Sequence, residues 1–171
     1  NAINAIVIAL ILIGCYIIIR FDWYSSIGAI IALLHDVLIV TTALLLSGYE
    51  FDSHIVAAFL IIIGYFLNDT IVVFDRIRTN LLDYSKVDLR ETINISLNET
   101  LSRTAITSLT TLFVVVSIYI FGGENLSGLS LALIIGVISG TFSSIFIATP
   151  IMMLLRDRYY KDSDEGDKEW Q

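Results

Sequence analysis

Five stretches of this chain are apolar almost without interruption, separated by short polar segments. They run near 3–20, 26–47, 54–74, 104–122 and 128–155. A hydrocarbon core about 30 Å thick needs about 20 helical residues to cross it, so each run is long enough to span. None shows the period-two alternation of a barrel strand, which leaves helices as the spanning structure. The pattern predicts an all-α integral membrane protein with five transmembrane helices. The last run is long and is expected to tilt or to extend beyond the bilayer.

The stretch 75–102 follows another pattern. Leu89, Ile93, Leu97 and Leu101 recur every fourth residue, with Arg90, Asn94, Asn98 and Glu99 off that stripe. Asp88 and Glu91 have the spacing of a capping box, which marks a helix start. A cytoplasmic amphipathic helix near 88–101 is therefore expected, lying along the membrane surface or docking on the bundle. Residues 156–171 are charged and poor in apolar side chains after Tyr160, and are expected to form a disordered acidic tail.

Composition agrees with a membrane chain: 56% hydrophobic and 16% charged residues exclude an ordinary soluble domain. Charge adds orientation. All ten Lys and Arg residues flank the same ends of the runs: Arg20, then Arg76, Arg78, Lys86, Arg90 and Arg103, then Arg156, Arg158, Lys161 and Lys168. The gaps 47–53 and 121–127 have none. Positive charge near span ends is retained in the cytoplasm, so the C-terminus is expected inside and Asn1 outside. A chain that opens outside, on a residue other than Met, is expected to have lost at least one earlier span. The net charge of −7 comes mostly from the tail and span ends and names no partner. Cys15, alone in an apolar run, is expected to be a buried, inert thiol.

Acids inside the runs carry the chemistry. Asp36 lies near the middle of the second run, preceded by His35. Asp69 lies in the third, about 9 Å inside Asp75 at about 1.5 Å rise per residue. An Asp at a helix centre costs about 2.5–3.5 kcal/mol to insert, so such a residue faces the bundle or a wet cavity. Desolvation favours the neutral acid and a nearby cation the charged one, and an acid between those terms can bind and release a proton. Arg103 begins the fourth run at the same end as Asp69, within reach of a two-bond fork. Thr100, Thr104, Thr107, Ser108 and Thr111 share one helix face, which either wets a path to Asp69 or packs helices. Asp36 is either a second proton site or a hydrogen-bond partner for a neighbouring helix. His35 projects about 100° away from Asp36 and need not pair with it.

The fifth run carries Ala132, Gly136, Gly140, Ser144 and Ala148 at four-residue spacing. This small-residue strip admits a close partner, either the fourth span or a helix of another subunit. Gly64 is expected to serve similarly on the third. No phosphate loop, nucleophile–base set, metal-ligand set or nucleic-acid patch is present, so neither an enzyme nor a nucleic-acid binder is expected.

The string Gly64-Tyr-Phe-Leu-Asn-Asp-Thr-Ile-Val-Val-Phe-Asp-Arg-Ile-Arg78 resembles the SecF family signature. Leu33-Leu-His-Asp-Val-Leu38, Asn98-Glu-Thr-Leu-Ser-Arg-Thr104 with Thr107-Ser-Leu-Thr-Thr111, and Phe121-Gly-Gly-Glu124 resemble further motifs of that family, in order. The resemblance, from about Arg20 to Leu155, implies half of an RND-type transmembrane bundle. It also implies a Sec-pathway subunit that works with SecD beside the SecYEG channel. The proton gradient, sometimes sodium, would help draw a preprotein across the cytoplasmic membrane of a bacterium or archaeon, with no other cofactor. The family's acid in its Asn-Asp-Thr motif falls on Asp69, between Asn68 and Thr70. Its arginine in Leu-Ser-Arg-Thr falls on Arg103, before Thr104. The preprotein would be held by a soluble domain that this chain lacks. Two rival readings share the intramembrane acid: an RND-type exporter of lipids or small molecules, and a non-transporting channel scaffold.

Overall fold

The computed structural model describes residues 2–50, 52–83 and 88–168, with the side chains of 2–7, 9, 10, 13, 83 and 160–168 outside that description. The described residues form helices and no strand: α1 (Ala2–Arg20), α2 (Trp23–Leu46), α3 (Ser53–Asp83), α4 (Leu89–Phe121), α5 (Glu124–Ser143), a π-turn (Ser144–Ala148) and α6 (Thr149–Lys168). Among the described residues, four helical stretches are long and apolar enough to cross a membrane: Trp23–Leu46, Ser53–Leu82, Leu89–Phe121 and Glu124–Tyr159. The chain is a multi-pass membrane protein. The expected first span coincides with α1, whose side chains are described only in part.

Two helices run further than expected. At about 1.5 Å per residue α3 is about 46 Å long and α4 about 50 Å, against a hydrocarbon core of about 30 Å. The amphipathic segment 88–101 is therefore not a separate helix but the first turns of α4. No Gly or Pro separates Leu101 from Arg103, so nothing breaks the helix there. Asp88 is the N-cap residue as its spacing suggests, although its side chain makes no capping bond. The stripe docks on the bundle: Ile93 is buried, and Leu89 and Leu97 pack against the same cluster. Leu101 remains exposed.

The overhanging halves of α3 and α4 are clamped by polar groups. Asn80, buried, donates to Ser96 at 3.0 Å and to Glu99 at 2.7 Å, and Arg76 Nε donates to the same carboxylate at 2.7 Å. Across this basic end of the bundle Arg20 pairs with Asp75 at 3.1 Å. Helix α6 continues to Lys168, where a disordered tail from Arg156 was expected. A helix already anchored by packing extends at one hydrogen bond per residue, and no proline follows Pro150. Residues 169–171 of that tail, and Lys86, lie outside the described residues. Cys15 is exposed rather than buried, because α1 sits at the edge of the bundle.

Small residues set the helix spacing. A Cβ on Gly136 would lie 2.8 Å from Ile62, and one on Gly140 only 1.8 Å from the Phe66 ring. At Gly136 and Gly140 the strip thus packs against α3, not against α4. Gly64 does not take part: a Cβ there would meet nothing within 4 Å, since it lies on the outer face of α3. At the basic end a Cβ on Gly28 would lie 2.6 Å from the Ala148 carbonyl, so α2 rides directly on the π-turn. The π-turn has a local cause. Pro150 has no N–H and its ring crowds the carbonyl four residues back, and the ladder shifts to the five-residue bond from Thr149 N–H to Ser144 O.

Two apolar clusters result. One contains Val40, Leu44, Ile55, Ile62, Phe66, Val115 and Leu133. The other contains Ile17, Phe21, Ala29, Val73, Phe74, Ile77, Ile93 and Met152. Along α3, α4 and α5 the residues between these clusters are Asp69, Thr104 and the serines from Ser139 to Ser144. A polar belt therefore crosses the middle of the bundle.

Candidate functional site

A carboxyl group in a membrane core is tolerated only when other groups replace its water. Asp69 meets this condition with two hydroxyls from two other helices. Thr104 on α4 donates to Oδ1 at 2.7 Å, and Ser144, at the end of α5, donates to Oδ2 at 3.0 Å. Thr104 and Ser144 are buried and Asp69 is half-buried. The acid thus links three helices through neutral donors.

Asp36 is more deeply enclosed, at 1% exposure. Ser139 donates to its Oδ1 at 2.5 Å, and Ser143 donates to its Oδ2. His35 Nδ1 lies 3.2 Å from Oδ1, so the neighbouring histidine does reach the acid although the two side chains leave the helix in different directions. Among the described residues no buried side-chain nitrogen or oxygen is without a partner.

Arg103 does not pair with Asp69. Arg103 and Thr104 project about 100° apart, and α4 turns Thr104 toward the acid. Arg103 is exposed and lines a cavity of about 430 Å³ at the basic end, with Arg20, Asp75, Arg76, Glu99 and Thr100. Asn68 is exposed and Thr70 buried on either side of Asp69. Thr107 is exposed, and its hydroxyl donates back to the Arg103 and Thr104 carbonyls, both at 3.0 Å. Of the expected hydroxyl face, Thr104 meets the acid and Ser108 joins Thr141 of α5 at 2.7 Å. Ser139 and Ser143 were not singled out from the sequence, and Ser144 was read only as a packing residue. Their signal was an i, i+4 hydroxyl pair beside the small-residue strip, in a run that also carries Ser130, Thr141 and Thr149. Among the described residues no group of three or more His, Cys, Asp or Glu could hold a metal ion.

At the opposite end Asp52 caps α3. Its Oδ1 accepts the Ile55 N–H at 2.9 Å and its Oδ2 lies 2.8 Å from His54 Nδ1. The Ile55 N–H first, and His54 second, hold the Asp52 carboxyl below its usual range.

Comparison with known proteins places this chain in a family. Residues 1–158 match the family model of the protein export membrane protein SecD/SecF, C-terminal. A protein translocase subunit SecF from Rhodothermus marinus is 53% identical over 164 residues, covering 92% of this chain and 53% of that protein. A SecF from Rhodobacter capsulatus is 42% identical, covering 98% of this chain and 51% of its own. The chain spans about half the length of the curated relatives it matches. Among solved structures, SecDF from Thermus thermophilus, a translocon-associated membrane protein, superposes with a TM-score of 0.88 at 41% identity, over 92% of this chain and 22% of that one. SecDF in its super-membrane-facing form gives 0.85 at 40% identity, over 93% and 21%. The helical architecture, the motifs around Asp69 and these matches agree: the chain belongs to the SecD/SecF C-terminal family of protein-export membrane proteins.

Proposed function

We propose that this chain is the membrane-embedded part of a SecF-type subunit of the Sec export machinery, and that Asp69 is its ion-binding acid. The observation that carries this reading is the Asp69 carboxylate held by Thr104 and Ser144 from two other helices. An ionised carboxylate accepts both hydroxyl protons. A protonated one carries its own O–H and cannot hold both donors in the same way. Gain or loss of one proton therefore changes the bonds that tie α3 to α4 and α5, and moves the helices. Sodium is the alternative ion, since carboxylate and hydroxyl oxygens suit hard cations.

The arginine-lined cavity would serve as the aqueous approach to Asp69 from the basic end. Arg103, beside Thr104, would set the field on that approach and sense the acid's charge rather than bond to it. Thr107 and Thr70 would shape the path, and Asn68, on an outer face of α3, would meet a partner helix. Asp36 would be a second ion-responsive acid in the same belt. The partner would be SecD, as the SecDF structures suggest, with the SecYEG channel and a translocating preprotein as further partners. The membrane would be the cytoplasmic membrane of a bacterium or archaeon. The basic end would face the cytoplasm, because Lys and Arg near span ends are retained there.

The test is gradient-dependent export in vesicles holding the full-length protein with SecD. Asp69→Asn should abolish the gradient-dependent component while the complex still assembles. Undiminished export would make Asp69 a structural acid and favour a scaffold.

A further inference from the structure

The two acids of the polar belt are held by consecutive residues of one turn. Ser143 donates to Asp36 of α2, and Ser144 donates to Asp69 of α3. Their backbone is the junction of α5 with the π-turn, where Ser144 O accepts the Thr149 N–H and also the Thr149 hydroxyl at 2.9 Å. A π-turn inside a helix is frequently a functional feature, and this one touches α2 at Gly28.

Each serine also has a second acceptor in reach. Ser143 Oγ lies 3.2 Å from the Gly140 carbonyl, and Ser144 Oγ lies 3.1 Å from the Thr141 carbonyl. A hydroxyl carries a single proton and must choose. It donates to an ionised carboxylate. When that carboxylate takes up a proton, the new O–H can donate to the serine oxygen, and the serine proton turns to its own carbonyl. Both hydroxyls thus report the state of a carboxyl to the same two-residue backbone.

We infer that Ser143 and Ser144 are positioning residues that couple the protonation of Asp36 to that of Asp69. The inference rests on reading Asp69 as the ion-binding acid. The charged groups that the packed elements carry nearest in sequence to the pair are His35 on α2, Asp75 and Arg76 on α3, Glu99 and Arg103 on α4, Arg20 on α1, and Arg156 and Asp157 on α6. Between Glu124 and Arg156 there is no Asp, Glu, Lys, Arg or His. Serine substitution leaves every one of these charges in place, so a changed titration reports the hydroxyl bonds.

The experiment follows the carboxyl stretch by infrared difference spectroscopy against pH, on the full-length protein with SecD in vesicles. The signal lost in Asp69→Asn is assigned to Asp69. In Ser143→Ala its midpoint should move by about half a pH unit or more, although of the two acids Ser143 bonds Asp36 alone. Ser130→Ala removes a buried hydroxyl on the same helix that bonds only to the Leu126 carbonyl, and should leave the midpoint in place. An unmoved Asp69 midpoint in Ser143→Ala, with a moved one in Ser144→Ala, would mean that the serines hold the acids independently and would overturn the coupling. Gradient-driven export that survives Asp69→Asn overturns the parent reading instead, and this inference with it.

Discussion

Thr104 contributes one hydroxyl to Asp69, and that contribution can be isolated. Valine keeps nearly the same shape but removes the donor at 2.7 Å. Leaving a buried acceptor short of one bond costs about 1–3 kcal/mol, and the half-buried Asp69 should lose less than that upper figure. Thr104→Val should therefore lower the unfolding temperature in detergent and, on the proposed reading of Asp69, displace the pH profile of gradient-driven export by the full-length protein with SecD. An unchanged profile would exclude Thr104 from control of the acid. Asp52 acts at the other end and in the opposite setting, exposed to water. Its folded value is lowered, so its stabilising effect is present above the ordinary value of 3.8 and is lost as pH falls through the folded one. At neutral pH Asp52→Ala should fray the first turn of α3, seen as faster amide exchange at Ile55. At this scale the acids were legible in the sequence because charge inside an apolar run is conspicuous. Of their partners Thr104 stood on the expected hydroxyl face, but Ser139, Ser143 and Ser144 were not legible as donors, since a serine in a membrane helix is ordinary and only its neighbour makes it a donor.

Helices α3 and α4 behave as one unit at the basic end, through Asn80, Ser96, Glu99 and Arg76. Asn80→Ala would strip Glu99 and Ser96 of a buried donor, and about 1–3 kcal/mol of stability should go with it. Differential amide exchange in residues 75–100, with α5 unaffected, would locate the loss. The strip on α5 gives a sharper contrast. Gly140→Ala drives a methyl into the Phe66 ring and should cost about 1–3 kcal/mol by overpacking, whereas Gly64→Ala meets open space and should leave the unfolding temperature unchanged or slightly higher. Equal effects at both positions would contradict the packing of α5 on α3. Four-residue spacing announced the strip, but spacing describes only one surface. The partner depends on which helix stands opposite, and the chain order does not specify that.

At the scale of the molecule the bundle inverts the logic of a soluble protein. Large apolar side chains such as Leu38, Leu46, Ile120, Phe121 and Phe146 point outward, while Asp36, Asn80, Thr104, Ser143 and Ser144 are buried. In a hydrocarbon solvent apolar surface gains nothing from burial, so polar groups and small residues determine which helices meet. The belt between the two apolar clusters is the result. It gathers acids from α2 and α3 and donors from α4 and α5 at a single level of the bundle.

Helicity, multi-pass membrane character and two chemically exceptional acids follow from the linear pattern, because continuous apolarity and an isolated charge are properties of single segments. The same holds for the start of α4 at Leu89 and the closeness allowed by Gly136 and Gly140. The choice of Thr104 over Arg103 as partner of Asp69 depended on the rotation of α4 about its axis. The assignment of Ser143 to Asp36 and Ser144 to Asp69 depended on the offset of α5 between α2 and α3. A helix sequence sets the angles between its own side chains, but not how that helix is turned or shifted against its neighbours. Those two quantities come from packing small residues against large ones across the whole bundle, and they decided which polar groups met.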